Sequence, residues 1–153
     1  MDLQAFGETL PRYENHVRLD DSRVDSFGIP LLIFNCEWGP NELAMRKDIV
    51  ESTAEMLEAC GAKNVQKVDH YVRGTTEGAP GLGIHEMGTA RMGRHPKSSV
   101  LNAHNQCHDV PNVFVTDGAC TASSACQNPS LTYMALTACA CDFAVQELKR
   151  RNL

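Results

Sequence analysis

Polar and apolar residues alternate over 15–20, with Val17 and Leu19 on one face, which predicts a half-buried strand. Residues 31–38 open on the apolar run Leu31-Leu32-Ile33-Phe34 and predict a second strand. Asp, Ser and Gly lie within 24–30 and predict a turn, so the two strands can pair as an antiparallel hairpin. The pattern becomes helical after Gly39-Pro40-Asn41, where Asn41 is the expected cap. Ile49, Val50, Thr53, Met56, Leu57 and Cys60 follow helical spacing, and Gly61 stands where the helix should stop. A third strand is expected over 65–72.

Residues 73–83 are rich in Gly, Thr and Pro and form the best boundary in the chain, dividing it into 1–83 and 84–153. From His85 to Pro111 the pattern is irregular. Residues 112–116 predict another strand, ending in a tight turn at Asp117-Gly118. Small residues over 120–127 read as loop. Pro129 suits the first position of a closing helix, where its missing N–H costs nothing. Leu131, Met134, Ala135, Ala138, Val145 and Leu148 give that helix an apolar face, and its Ala and Cys content predicts close packing on other backbone. The fold class is α+β with mixed strands.

With 153 residues, 42% apolar and 22% charged, the composition suits one ordinary globular domain. A formal charge of −5 provides no basic footprint for nucleic acid. Lys149, Arg150 and Arg151 read as a solvated helix end favoured by the helix dipole. No apolar stretch approaches the roughly 20 residues that span a bilayer. The first residues lack the basic and apolar regions of a signal peptide, and the chain reads as starting inside a longer protein. Cytoplasmic and periplasmic locations both stay open. The seven cysteines are odd in number and irregularly spaced, which predicts reduced and mostly buried thiols. Cys139 and Cys141, two apart in a small-residue helix, are expected to be shielded and unable to bridge each other.

Two clusters suggest chemistry less well than they first promise. His104, Cys107 and His108, with His95 nearby, are zinc-ligand types, but no further ligand is spaced to close a site. Gly81-Leu82-Gly83 lacks the third glycine and the preceding strand of a dinucleotide loop. A stronger pairing brackets the second half: His85, in His85-Glu86-Met87-Gly88-Thr89-Ala90-Arg91-Met92-Gly93, and Asn128, in Asn128-Pro129-Ser130-Leu131-Thr132. Taken singly, His85 is most simply a surface or hydrogen-bonded histidine, and Asn128 a helix N-cap. Together at a helix N-terminus they suit removal of a proton from an alcohol and stabilisation of negative charge on a neighbouring cofactor.

These two strings, with Ser99-Val100-Leu101-Asn102 and Pro111-Asn112-Val113-Phe114-Val115-Thr116-Asp117-Gly118 between them, resemble the C-terminal part of the glucose–methanol–choline (GMC) flavoprotein oxidoreductases. The likeness is nearest to a sugar-oxidising branch that includes pyranose oxidases and bacterial glycoside dehydrogenases. Gly7-Glu8-Thr9-Leu10-Pro11 and Asp25-Ser26-Phe27-Gly28-Ile29-Pro30 also look like that branch. The resemblance implies an FAD enzyme oxidising a CH–OH group of a sugar or glycoside. Residues 1–83 would belong to an antiparallel substrate-domain sheet with a helix, and 84–153 would return the last strand and C-terminal helix to the FAD-binding domain. It implies His85 as the base and Asn128 as its partner. Asp117 and Gly118 would lie by the FAD phosphates or ribityl chain, and Asn128, Pro129 and Thr132 would face the flavin. Electrons would pass to oxygen or to a haem subunit. The glycine-rich strand–turn–helix that holds an FAD diphosphate is absent from this sequence. The chain by itself is therefore expected to be inactive, its FAD-binding region lying upstream. The competing reading is a non-catalytic interaction or regulatory piece that keeps a remnant of the fold; a small metal-binding module ranks third.

Overall fold

The computed structural model describes residues 2–69, 80–81 and 85–153. The chain divides into two compact units, Met1–Gly83 and Ile84–Leu153. The boundary stretch 73–83 lies outside the described residues apart from Pro80 and Gly81. The described elements are a two-stranded antiparallel sheet, two long helices and a short 3-10 turn, an α+β composition.

In the first unit the alternating pattern produces β1 (His16–Val24) and the apolar run produces β2 (Pro30–Asn35). They pair antiparallel, with Val17 opposite Phe34 and Leu19 opposite Leu32. The register slips between Leu19 and Val24. There the buried Asp20 carboxylate accepts from Ser22 N and Ser22 Oγ, both at 2.9 Å, and pairs with Arg23. The backbone and side-chain donors hold this carboxyl far below its usual range. The connecting turn needs Gly28, at φ +81°, and Asp25 Oδ1 fixes it by accepting from Phe27 N and Ile29 N.

Helix α1 (Pro40–Ala59) starts two residues earlier than an Asn41 cap would place it. Gly39 is the N-cap, in extended conformation, and Pro40 takes the first helical position. Asn41 instead donates its amide to Glu42 Oε1 at 3.3 Å. Glu42 completes the helix start, because Oε2 accepts from Gly39 N at 2.8 Å and Oε1 from Leu10 N at 3.0 Å. Ile49, Val50, Thr53 and Leu57 are half-buried as the spacing predicts, whereas Met56 and Cys60 are exposed. Gly61, at φ +85°, follows the C-cap and ends the helix as expected. The expected strand over 65–72 is not formed at 65–69; residues 70–72 lie outside the described residues. Segment 65–69 is tied to α1 by polar side chains instead, with Asp69 2.9 Å from Arg46 and Lys67 paired to Glu51.

Glu42 is 1% exposed, and the Leu10 N–H is the main cause that lowers its pKa. A carboxyl depressed on folding contributes stability above its unfolded pKa, and that contribution disappears as pH falls through the folded value. Glu42→Gln is therefore expected to melt below the wild type at neutral pH. The deficit should be about 2 kcal/mol, the scale of hydrogen bonds to a charged group, and should shrink as the pH falls below ~4. Thermal melts of both proteins across that range check this. A deficit that widens on acidification would be the wrong sign.

The second unit is organised by loops rather than by a sheet. The strand expected over 112–116 is not formed: Phe114 makes one isolated antiparallel bridge with Gln106, while Leu101 bridges Met92 and Cys107. Leu101, Asn105 and Cys120 are buried at the centre of these loops. Val113 O and Val115 N bond to Cys107 N and Asn105 O, so the apolar stretch is held by a neighbouring loop in place of a strand partner. Helix α2 (Ser130–Lys149) follows, with Pro129 as N-cap rather than first residue.

The face of α2 that turns inward is not the predicted one. Leu131, Met134, Val145 and Leu148 are exposed, Leu131 by 79%. Ala140 is buried, and half-buried Tyr133, Leu136, Thr137, Phe143 and Ala144 share its side of the helix. Aromatic partners set this orientation, because Phe143 stacks on the His104 ring at 3.9 Å and meets Phe114 edge-on. The cysteine expectation changes with it. None of the seven cysteines forms a disulfide among the described residues, but Cys36, Cys60, Cys126, Cys139 and Cys141 are exposed, and Cys120 alone is fully buried. Cys139 and Cys141 flank the inward stripe at Ala140, so neither points along it. No helix among the described residues is long and apolar enough to cross a membrane.

Candidate functional site

The second unit brings His85 and Asn128, 43 residues apart in sequence, into hydrogen-bond contact. His85 Nε2 stands 2.9 Å from Asn128 Oδ1. With the amide oxygen turned to the ring, Nε2–H donates. The ring is half-buried and Asn128 is exposed, so a small molecule can reach the pair.

Each partner is held by its own element. The segment after His85 runs along the turn that follows Asp117: Gly88 N donates to Gly118 O at 3.4 Å, Ala90 N to Ala119 O at 3.0 Å and Met92 N to Cys120 O at 2.9 Å. Gly88 takes φ +83° at the start of this ladder, a conformation that favours glycine. Thr89 and Arg91 are exposed, and the Arg91 carbonyl accepts from Val100 N and Leu101 N. Asn128 lies just before Pro129, the N-cap of α2. Its side chain engages His85, and among the described residues no side-chain hydrogen bond caps the helix. The first-turn N–H groups, with their positive dipole end, are thus left uncapped by side chains at the residue that carries the asparagine.

The other expected site residues fall around this pair. Asp117 is exposed and caps the 3-10 turn Gly118–Cys120, its Oδ1 accepting from Ala119 N at 2.9 Å. The Gly118 carbonyl accepts from Thr121 Oγ1 at 2.9 Å. Pro129 O accepts from Tyr133 N at 3.0 Å, and Thr132 is exposed on the first turn of α2. Among the described residues no group of three or more His, Cys, Asp or Glu side chains could hold a metal ion. The histidines of the zinc-like string have other partners: His104 lies on Phe143, and His108 Nε2 is 3.2 Å from both Ser99 Oγ and Gly93 O. A shallow groove beside Arg94, Asn102, His104 and His108 contains neither His85 nor Asn128.

Two residues that support the site carry no sequence motif. Asn105 is 2% exposed at φ +60°, and its Nδ2 donates to Val115 O at 2.9 Å. An Asn at the end of Asn102-Ala103-His104-Asn105 is a turn signal, and asparagine is among the few residues that tolerate positive φ. Tyr133 lies against Gly118, where a Cβ would stand 2.8 Å from the tyrosine hydroxyl. Nothing in the spacing of residues 118 and 133 announces that contact.

Comparison with known proteins agrees with the motifs. The chain is 38% identical over 138 residues to 2-methyl-1,2-propanediol dehydrogenase of Mycolicibacterium austroafricanum, covering 90% of this chain and 24% of the relative. It is 30% identical over 125 residues to paromamine 6'-oxidase of Streptomyces fradiae, covering 82% and 22%. It is 29% identical over 147 residues to the gluconate 2-dehydrogenase flavoprotein of Pantoea cypripedii, covering 90% and 22%. The chain thus spans about a quarter of the length of these curated relatives, or slightly less. The family model of the GMC oxidoreductase C-terminal part matches residues 11–137. Members of that family are generally flavin-dependent. With the match running through both units and through the ordered motifs around His85 and Asn128, the chain belongs to the GMC oxidoreductase family.

Proposed function

We propose that this chain is the C-terminal part of an FAD-dependent oxidoreductase that oxidises a CH–OH group of a sugar or glycoside. His85 and Asn128 receive the alcohol, at the mouth of a helix without a side-chain cap. The observation that carries this is the 2.9 Å approach of His85 Nε2 to Asn128 Oδ1.

The residues present fit the ring end of a flavin. Helix α2 offers an uncapped N-terminus beside the His–Asn pair, which suits an acceptor that gains negative charge. The sequence holds no Gly-x-Gly-x-x-Gly string of the kind that cradles a dinucleotide diphosphate. On this reading 1–83 belong to the substrate domain and 84–153 to the return into the FAD-binding domain. Asp117 and Gly118 would then face the cofactor's ribityl or phosphate region, and Asn128, Pro129 and Thr132 its ring. The flavin, when bound, supplies the two-electron chemistry.

This chain's residues handle the proton and the orientation. A hydroxyl entering between the two side chains displaces their mutual hydrogen bond. In the tautomer that carries its ring proton on Nδ1, the imidazole turns the Nε2 lone pair to this hydroxyl and accepts its proton, which an unperturbed imidazole pKa near ~6.5 suits near neutral pH. Turned about its Cγ, the Asn128 amide presents an N–H to the same oxygen and stabilises the developing alkoxide. With proton and oxygen so held, the carbon-bound hydrogen is free to leave as hydride.

The likeness to the propanediol dehydrogenase favours a second substrate class, small branched diols. The test is to purify the full-length oxidoreductase, record its visible spectrum and assay turnover with an artificial electron acceptor. The panel would contain aldoses, ketoses, glycosides and diols, with oxygen and a haem acceptor compared as natural oxidants. Flavin bands with sugar or glycoside turnover are expected. Diol turnover alone would move the substrate class, and a colourless protein inert to every alcohol would return the chain to a non-catalytic interaction role.

A further inference from the structure

Gly118 is a node where three segments meet. A Cβ at that position would stand 2.8 Å from the Tyr133 hydroxyl, 3.4 Å from Tyr133 Cζ and 3.4 Å from the Glu86 carbonyl oxygen. Glu86 follows His85 directly. Tyr133 belongs to the first turns of α2, and its backbone N–H donates to Pro129 O, next to Asn128. A closed circuit results: His85 to Glu86, across Gly118 to Tyr133, along the helix start to Pro129 and Asn128, and back to His85 through the 2.9 Å hydrogen bond.

Both arms of the circuit are stiff. On one side, Gly88, Ala90 and Met92 are laddered to Gly118, Ala119 and Cys120. On the other, Tyr133 is half-buried within a helix, and Thr137 Oγ1 donates to its carbonyl at 2.7 Å. The contact at Gly118 therefore decides how far the helix start stands from the His85 segment.

We propose that Tyr133 is a positioning residue, whose hydroxyl seats on the bare Cα of Gly118 and thereby sets the separation of His85 and Asn128. The proposal rests on the oxidoreductase reading for its catalytic meaning and on the packing for its geometry. Burial also pushes the Tyr133 phenol pKa upward, so the seated group is a neutral hydroxyl at ordinary pH.

Packing at the node makes a specific compensation testable. Gly118→Ala drives a methyl into the hydroxyl, whereas Tyr133→Phe leaves a gap. In the double variant the new methyl occupies the space the hydroxyl vacates, 3.4 Å from the ring. The experiment uses the FAD-loaded full-length oxidoreductase and reads the rate of flavin reduction by substrate. Gly118→Ala is expected to slow reduction by about 10- to 100-fold, the scale of a misplacement of about 1 Å, and Tyr133→Phe to slow it less. The double variant should recover at least about tenfold over Gly118→Ala, because contacting sites are non-additive.

A second readout needs no turnover: the NMR titration midpoint of the His85 ring should move in Gly118→Ala and return in the double variant. An unimpaired Gly118→Ala would overturn the proposal. So would a double variant as slow as Gly118→Ala, or equally depleted of FAD, since Gly118 would then act directly on the cofactor. If no alcohol reduces the wild-type flavin, the oxidoreductase reading fails and the His85 titration decides the junction alone. If Gly118→Ala does not fold, Tyr133→Phe decides: a shifted His85 midpoint supports the junction and an unmoved one overturns it.

Discussion

His85→Ala in the full-length oxidoreductase is expected to keep FAD bound and to lose at least ~10²–10⁴-fold in the rate of flavin reduction by substrate, the usual contribution of a general base. The expectation comes from the site's construction. The imidazole is held through the Gly88–Met92 ladder, and its Nε2 faces the asparagine amide that the helix start presents to it. On the proposed reading, removing the ring removes the proton acceptor without touching the ladder. Asn128→Ala should cost less, because in the proposed mechanism Asn128 orients and donates and accepts no proton. Single-turnover reduction of both variants, with FAD content measured alongside, checks the order. Equal and complete loss of FAD from both would recast the pair as supports of the cofactor pocket.

Asn105→Ala is expected to destabilise the second unit by about 2–5 kcal/mol, without touching His85 or Asn128. Two costs add. The Val115 carbonyl loses the amide that satisfies it, worth about 1–3 kcal/mol for a buried polar group. The φ of +60° then falls on a residue with a Cβ and no polar side chain, at about 1–2 kcal/mol. Asn105→Gly relieves the second cost and keeps the first, so it should lie between alanine and wild type. The side chain also hydrogen-bonds Cys120, whose buried thiol is pushed upward in pKa mainly by desolvation and is drawn partly back by that bond. The loss therefore reaches the turn on which the His85 segment is laddered. Denaturant unfolding of the three proteins measures it. A deficit below about 0.5 kcal/mol for Asn105→Ala, the range of ordinary surface substitutions, would show that the residue is not a keystone of these loops.

The hairpin was legible because its signals are local: alternation in β1, an apolar run in β2, and Asp25 with Gly28 between them. The helices were legible for the same reason, Pro40 opening one and Gly61 closing it. The strand expected over 112–116 is not formed in this chain, because apolar alternation specifies a half-buried extended segment without naming its partner. Here a loop at 105–107 satisfies the backbone in place of a sheet. The inward face of α2 was misread because Leu131, Met134 and Leu148 are more hydrophobic than Ala140 and Thr137, yet the stripe is set by rings far away in sequence, His104 and Phe114. Cys139 and Cys141 followed that error. At the site, the motifs marked His85 and Asn128, which the fold joins. They gave no sign of Tyr133, whose role depends on a glycine fifteen positions earlier having no side chain.

His85 and Asn128 are proposed to receive an alcohol whose carbon-bound hydrogen passes to a flavin. The direct measurement is anaerobic rapid mixing of the full-length, FAD-loaded protein with a sugar or glycoside substrate, carrying hydrogen or deuterium at the carbon that bears the hydroxyl. The flavin is expected to bleach in one turnover, more slowly with the deuterated substrate, and His85→Ala to abolish most of the bleaching while retaining its flavin. Unchanged bleaching in His85→Ala, or none in the wild type with any alcohol, would contradict the proposal.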